Sequence, residues 1–247
     1  MYEASMSGIF RLYRAALPRC WIPALVLALG GMGTAMLLER MLPTTNDIWQ
    51  WSEQVRSLVW SGAFWRVMLI GGAISVLGYG ALVAVTYAVA VPGTPAPAAG
   101  GFGPALRSLP AAIVAGAIFL LVTTLGTMAF LIPGAWLWGM WQLWLVALVV
   151  EQLGPIASLR RSWQLMLGAW WRITTLLTVV FIVTFLLAAM AYAVAGSLLF
   201  VVGVDSSHAM QATTVVDALL NLLLAPLISA AFVAAYLDRL HAHGQGA

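Results

Sequence analysis

The stretch Glu151–Arg172, EQLGPIASLRRSWQLMLGAWWR, decides how this chain is read, because it interrupts an otherwise hydrophobic sequence with a patterned, basic, aromatic segment. Pro155 suits the first turn of a helix, where a missing N–H leaves no bond unmade. From there Ile156, Leu159, Trp163, Met166 and Trp170 recur at alternating spacings of three and four, the period of one helical face. Arg160, Arg161 and Gln164 fall on the other side. The spacing therefore predicts a surface helix over 155–170, with its stripe in the acyl boundary and its guanidinium groups toward lipid phosphates. Gly168 gives a flexible point before Trp170, Trp171 and Arg172, an interfacial anchor that opens the next span. An ordinary connector between two spans would carry the same anchor, so the pattern locates a headgroup-level contact without naming a chemistry.

Outward from this stretch the composition fixes the class. The 247 residues are 63% hydrophobic and 8% charged, against about 45–50% and about 25% in soluble domains. This is an integral membrane protein, and no polar stretch is long enough for a separate soluble domain, so 1–247 reads as one membrane domain. A net charge of +3, spread along the chain, gives no reason to expect a nucleic-acid partner. The single Cys20 excludes an internal disulfide and a cysteine metal cluster. There is no HExxH, no GxSxG, no phosphate-binding loop and no pair of histidines on a membrane helix, so neither an enzyme nor a cofactor or metal site is expected.

Hydrophobic runs predict an all-α protein of six spans: Cys20–Leu38, Ala63–Val91, Leu109–Leu131, Ala135–Val150, Ile173–Phe200 and Thr213–Leu237. Pro133-Gly134 is expected to turn the chain into span four. Ahead of span one, 1–18 reads as a second, shorter surface helix, with Arg11 and Arg14 off its apolar side and Pro18 ending it. Residues 39–61 read as an aromatic outer collar, part helical. Residues 92–104 are a Pro/Gly loop, and the tail DRLHAHGQGA is expected to be polar and mobile. With the N-terminus inside, eight arginines (Arg11, Arg14, Arg19, Arg107, Arg160, Arg161, Arg172, Arg239) face the cytoplasm and three (Arg40, Arg56, Arg66) face out, which predicts both termini cytoplasmic.

The run Glu151-x-x-Gly154-Pro155-x-x-x-Leu159-x-Arg161-Ser162-Trp163-x-Leu165-x-x-Gly168-x-x-Trp171-Arg172, preceded by Pro133-Gly134, resembles the signature of the membrane domain attached to some glycerophosphodiester phosphodiesterases. It is similar also to the stand-alone relatives of that domain, the YciC-type bacterial inner-membrane proteins. The likeness is dense over 133–172 and elsewhere is one of span arrangement. It implies a six-span helical fold and residence in the bacterial inner membrane. The catalytic domain of the phosphodiesterases has no counterpart in these residues, so lipid hydrolysis is not expected of them. One departure stands out: a proline often found shortly before the acidic position is replaced by the apolar run Val146–Val150, which removes the feature that would kink that span.

Polar groups inside hydrocarbon are the remaining candidates, since a charge there costs about 2.5–3.5 kcal/mol on insertion scales. Asp217 and Asn221 share a face of span six, as a substrate or proton path or as a packing device. Gln142, among Trp138, Trp141 and Trp144, lines a cavity or bonds across a helix interface. Glu151, at the disfavoured C-terminal end of span four, calls for an arginine partner that would fix the surface helix to the bundle. GAFWRV at 62–67 and GAWWRI at 168–173 open spans two and five and suggest an inverted three-plus-three repeat. The leading expectation is a non-enzymatic envelope protein that binds, moves or assists the handling of lipids or other amphiphiles. Headgroup contact then falls to Arg11, Arg14, Arg160, Arg161, Trp163, Trp170, Trp171 and Arg172. The alternatives are a small-molecule or ion transporter built on the repeat, and an accessory or scaffold subunit whose glycine-rich faces meet a second copy or a membrane-protein partner.

Overall fold

The computed structural model describes residues 5–42, 47–95, 97–203 and 206–244. It is helical, with no strand among the described residues, and six helices are long and apolar enough to cross a membrane: Met6–Glu39, Gly62–Ala90, Phe102–Ala129, Ile132–Glu151, Trp170–Val202 and Gln211–Ala242. The protein is a six-span, all-α membrane protein.

The first helix, α1 (Met6–Glu39), starts at Ser5, whose hydroxyl accepts from Gly8 N at 3.2 Å. It runs through Pro18 and Pro23 without a break, so 1–18 is not a separate surface helix. A proline inside a helix removes one backbone bond and costs about 3 kcal/mol. Here Ile9, Leu12 and Ala16 before Pro18 and Cys20 and Ala24 after it are fully buried in the bundle, and their packing holds the helix on either side of the proline. A short amphipathic helix, α2 (Ile48–Val59), follows, capped by Asp47 and with no buried residue. The aromatic collar expected over 39–61 is thus partly helical.

The second span, α3 (Gly62–Ala90), lies along α1, with Leu27 over Gly78 and Ile74 over Gly30. The last helix, α9 (Ser206–Ala242), packs against both, with Ala230 and Ala234 fully buried. Its helix carries on through Asp238 and Arg239 to Ala242, where a mobile tail was expected, because Arg239 and Leu240 are buried against the bundle. A polar seam joins the three helices: Cys20 Sγ lies 3.7 Å from Thr86 Oγ1, which lies 3.1 Å from Ser229 Oγ. The small residues of spans one, two and six that meet a neighbour therefore do so within the bundle.

Span three, α4 (Phe102–Ala129), and span four turn at one extended residue, Phe130, not at Pro133-Gly134, which lie in the first turn of α5 (Leu131–Met140). Span four then breaks at Trp141–Leu143 before resuming as α6 (Trp144–Glu151). The uninterrupted helix expected over Ala135–Val150 is absent although no proline lies at the break. Next comes α7 (Pro155–Met166), then span five, α8 (Trp170–Val202), entered through Gly168 at φ +77°.

The packing does not repeat across the halves. Span two meets span three as span five meets span six, but span two also packs along span one, whereas span five only grazes span four. The hexapeptide pair differs too: Gly62 is helical, whereas Gly168 is left-handed and precedes its helix.

Where α4 and α5 cross, the backbones touch. A Cβ on Gly134 would lie 2.5 Å from both Cα and N of Thr127, and main chain cannot yield as a side-chain tip can. Gly134→Ala should destabilise the protein by about 1–3 kcal/mol or more, read as a lowered melting temperature in detergent.

Candidate functional site at the arginine-bearing end

The end of the bundle that holds the start of α1 and the end of α9 carries a polar clamp. Glu151, the last residue of α6, accepts from Arg161 Nε at 2.9 Å and, on the same oxygen, from the hydroxyl of Tyr236. The two charged side chains are 20% and 26% exposed, so the pair is largely withdrawn from water. Arg239, 9% exposed, donates from Nε to Leu165 O at 2.7 Å and from its guanidinium to Leu167 O at 3.1 Å. It thereby satisfies carbonyls that the end of α7 leaves without helical partners. Arg172 pairs with Asp238. Gln152 closes α6 in the left-handed region, φ 51°, and its side chain donates to Val149 O at 2.7 Å. These contacts tie α7 and the start of α8 to the ends of α6 and α9.

The stripe of α7 faces protein, not acyl chains. Leu159 and Met166 are buried with Ser158, Ser162 and Leu165, and Trp163 packs edge-on against Trp136 at 4.9 Å, while Ile156 is 70% exposed. The reason is the pair of serines: Ser162, on the buried face, bonds to span four. Its hydroxyl donates to Met140 O at 3.0 Å and accepts from Leu143 N at 3.1 Å, the groups orphaned by the break. Sequence reasoning passed over Ser162; a small hydroxyl within the apolar face of a helix was the available signal.

Arg161 is thus turned inward, and of the adjacent pair Arg160 alone is exposed. Arg11, Arg14, Arg19 and Arg107 are also exposed, and none of these five is in an ion pair among the described residues. Trp171 is 74% exposed beside the half-buried Trp170. At the same end α3, α4, α6 and the 92–104 loop line a half-open cavity of about 370 Å³, with Tyr87, Val149, Val150 and Arg107 among its walls.

Two polar groups lie within the spans. Asn221 donates to Asp217 Oδ2 at 3.0 Å and Tyr192 Oη donates to Oδ1 at 2.8 Å, so spans five and six share this carboxylate. Gln142 sits in the break of span four, 7% exposed, with neither amide atom hydrogen-bonded. Trp170 Nε1 and Thr174 Oγ1 are likewise buried and unbonded where α8 meets Gly139. The described residues hold no cluster of groups suited to a metal ion.

Residues 21–239 match the family described as a domain of unknown function, DUF7847. The chain belongs to the DUF7847 family. No curated protein and no solved structure matches it. The match begins within α1 and ends at Arg239, so it takes in the whole clamp of this DUF7847 protein.

Two expectations follow. Glu151→Gln leaves Arg161 without its counter-charge in a largely dry site and should lower stability by about 1–3 kcal/mol, with Tyr236→Phe costing about 1 kcal/mol; thermal unfolding in detergent measures both. Gln142→Met removes an unpaired amide at similar volume and should raise the melting temperature, by up to about 1–3 kcal/mol of stability. A lower melting temperature would mean that the amide has a partner.

Proposed function

We propose that this DUF7847 protein is a non-enzymatic protein of the bacterial inner membrane, with both termini cytoplasmic, that binds anionic lipids or related amphiphiles at its arginine-bearing end and assists their handling. One observation carries the reading: Arg11, Arg14, Arg19, Arg107 and Arg160 are exposed at one end of a bundle whose flanks are apolar, and none of them is in an ion pair among the described residues. Cations held at the membrane surface attract anionic headgroups by about 1 kcal/mol each, and their placement on one end agrees with a cytoplasmic orientation. The resemblance of 133–172 to the membrane domain of glycerophosphodiester phosphodiesterases supports the same reading.

Transport has one observation in its favour, the discontinuous span four with unpaired Gln142, since broken helices line many transporter sites. Asp217 speaks less for it. It lies 21 residues along α9 from Asp238, about 31 Å by helical rise, which agrees with a position toward the outer end of span six and away from the clamp.

The lipid reading is tested by replacing Arg11, Arg14 and Arg160 together with Gln, purifying from native membranes and measuring retained lipid. The ratio of anionic to zwitterionic lipid should exceed that of the membrane for the parent protein and fall at least about tenfold in the variant. A parent protein with no preference overturns the proposal.

A further inference from the structure

The half-open cavity beside the 92–104 loop differs from the exposed arginines around it in having apolar walls about a single cation. Tyr87 and Ala88 of α3, Pro104 and Arg107 of α4, and Val149 and Val150 of α6 line it, and Arg107 is the only charged side chain among its described lining residues. At about 370 Å³ it takes a headgroup and the first carbons of a chain, at the lower end of small-molecule sites. Beyond Arg107 and the Tyr87 hydroxyl the walls are largely apolar and offer a free ion little. They suit a molecule with an anion at one end and hydrocarbon at the other. Tyr87 adds a hydroxyl with no hydrogen bond among the described residues. Its ring packs at 6.5 Å on Tyr236, the residue that holds Glu151, so the cavity wall and the clamp are one packed unit.

We propose that this cavity is a specific site for an anionic glycerophospholipid, with Arg107 bonding the phosphate and the lipid chain leaving along Val149, Val150 and Ala88. The inference rests on the lipid-binding reading and sharpens it from surface attraction to one built pocket. Arg107 is exposed and makes no ion pair among the described residues, so its replacement removes no ion pair described in the fold.

The experiment uses the full chain, delipidated in mild detergent, with native mass spectrometry after addition of phosphatidylglycerol, phosphatidylcholine or inorganic phosphate. Phosphatidylglycerol should be retained over phosphatidylcholine. Arg107→Gln should weaken its retention at least about tenfold, which is about 1.4 kcal/mol. Ala88→Trp, which fills the apolar part without changing charge, should weaken it comparably, and Arg66→Gln at the opposite end should not. Equal losses in the Arg107 and Arg66 variants would reduce the effect to net charge and overturn the site. Arg107-dependent binding of inorganic phosphate as tight as that of the lipid would overturn it in favour of a free-anion site. Lipid preference lost in the Arg11/Arg14/Arg160 variant but kept in Arg107→Gln removes the cavity and leaves the broader reading standing. No preference in the parent protein removes both.

Discussion

A helix broken within a membrane span exposes backbone groups where water is scarce, and each group left unpaired there costs several kcal/mol. The DUF7847 fold depends on how the break at Trp141–Leu143 is closed. At the break the chain makes tighter, three-residue bonds: Gln142 N reaches Gly139 O at 3.4 Å and Trp144 N reaches Trp141 O at 3.2 Å. This leaves Met140 O and Leu143 N over, and the hydroxyl of Ser162 serves both. One side chain from α7 thus replaces the missing turn of span four, and α7 is drawn onto the bundle instead of lying free on the lipid surface.

The rest of the arginine-bearing end follows from that docking. With α7 against α6, Arg161 reaches Glu151, and a carboxylate at the unfavourable end of a helix is neutralised. With the end of α7 beside α9, Arg239 caps the carbonyls of Leu165 and Leu167. This requires α9 to remain helical past Leu237, so residues that read as a polar tail become part of the core. The large buried cluster spans these elements, taking in Leu148, Leu165, Met166, Ile173 and Tyr236. Polar bonds set the register, and the close packing of this cluster supplies the van der Waals contact that holds membrane helices together.

The number of spans, their approximate limits and the need of Glu151 for an arginine were all legible in the sequence, because each rests on hydropathy or on a single charge in an apolar setting. What escaped reading depended on tertiary packing. Pro18 reads as a helix end, yet the burial of Ile9 and Leu12 holds α1 through it. The stripe Ile156, Leu159, Trp163, Met166 was rightly seen as amphipathic, but amphipathicity does not say whether the apolar side meets lipid or protein. The break in span four has no proline to announce it; its cause is a serine about twenty residues further on. The near-identical hexapeptides at 62–67 and 168–173 reflect two interfacial span starts more than a shared architecture, since their glycines differ in conformation and their helices in neighbours.

The adjacent pair Arg160-Arg161 shows how one motif serves two purposes. Neighbouring residues on a helix point about 100° apart, so once Ser162 fixes which face of α7 is buried, Arg161 must lie at its edge and Arg160 must point away. Arg161, Arg172 and Arg239 are engaged by Glu151, Asp238 and backbone carbonyls, although Arg172 stays largely exposed. Arg11, Arg14, Arg19, Arg107 and Arg160 have no such partners among the described residues. A count of arginines by side treats both groups alike, although the first also serves the fold. On the proposed lipid reading, recognition at this end rests chiefly on the exposed set, and Arg107 is set apart within it because it lines a half-open cavity whose other described lining residues carry no charge.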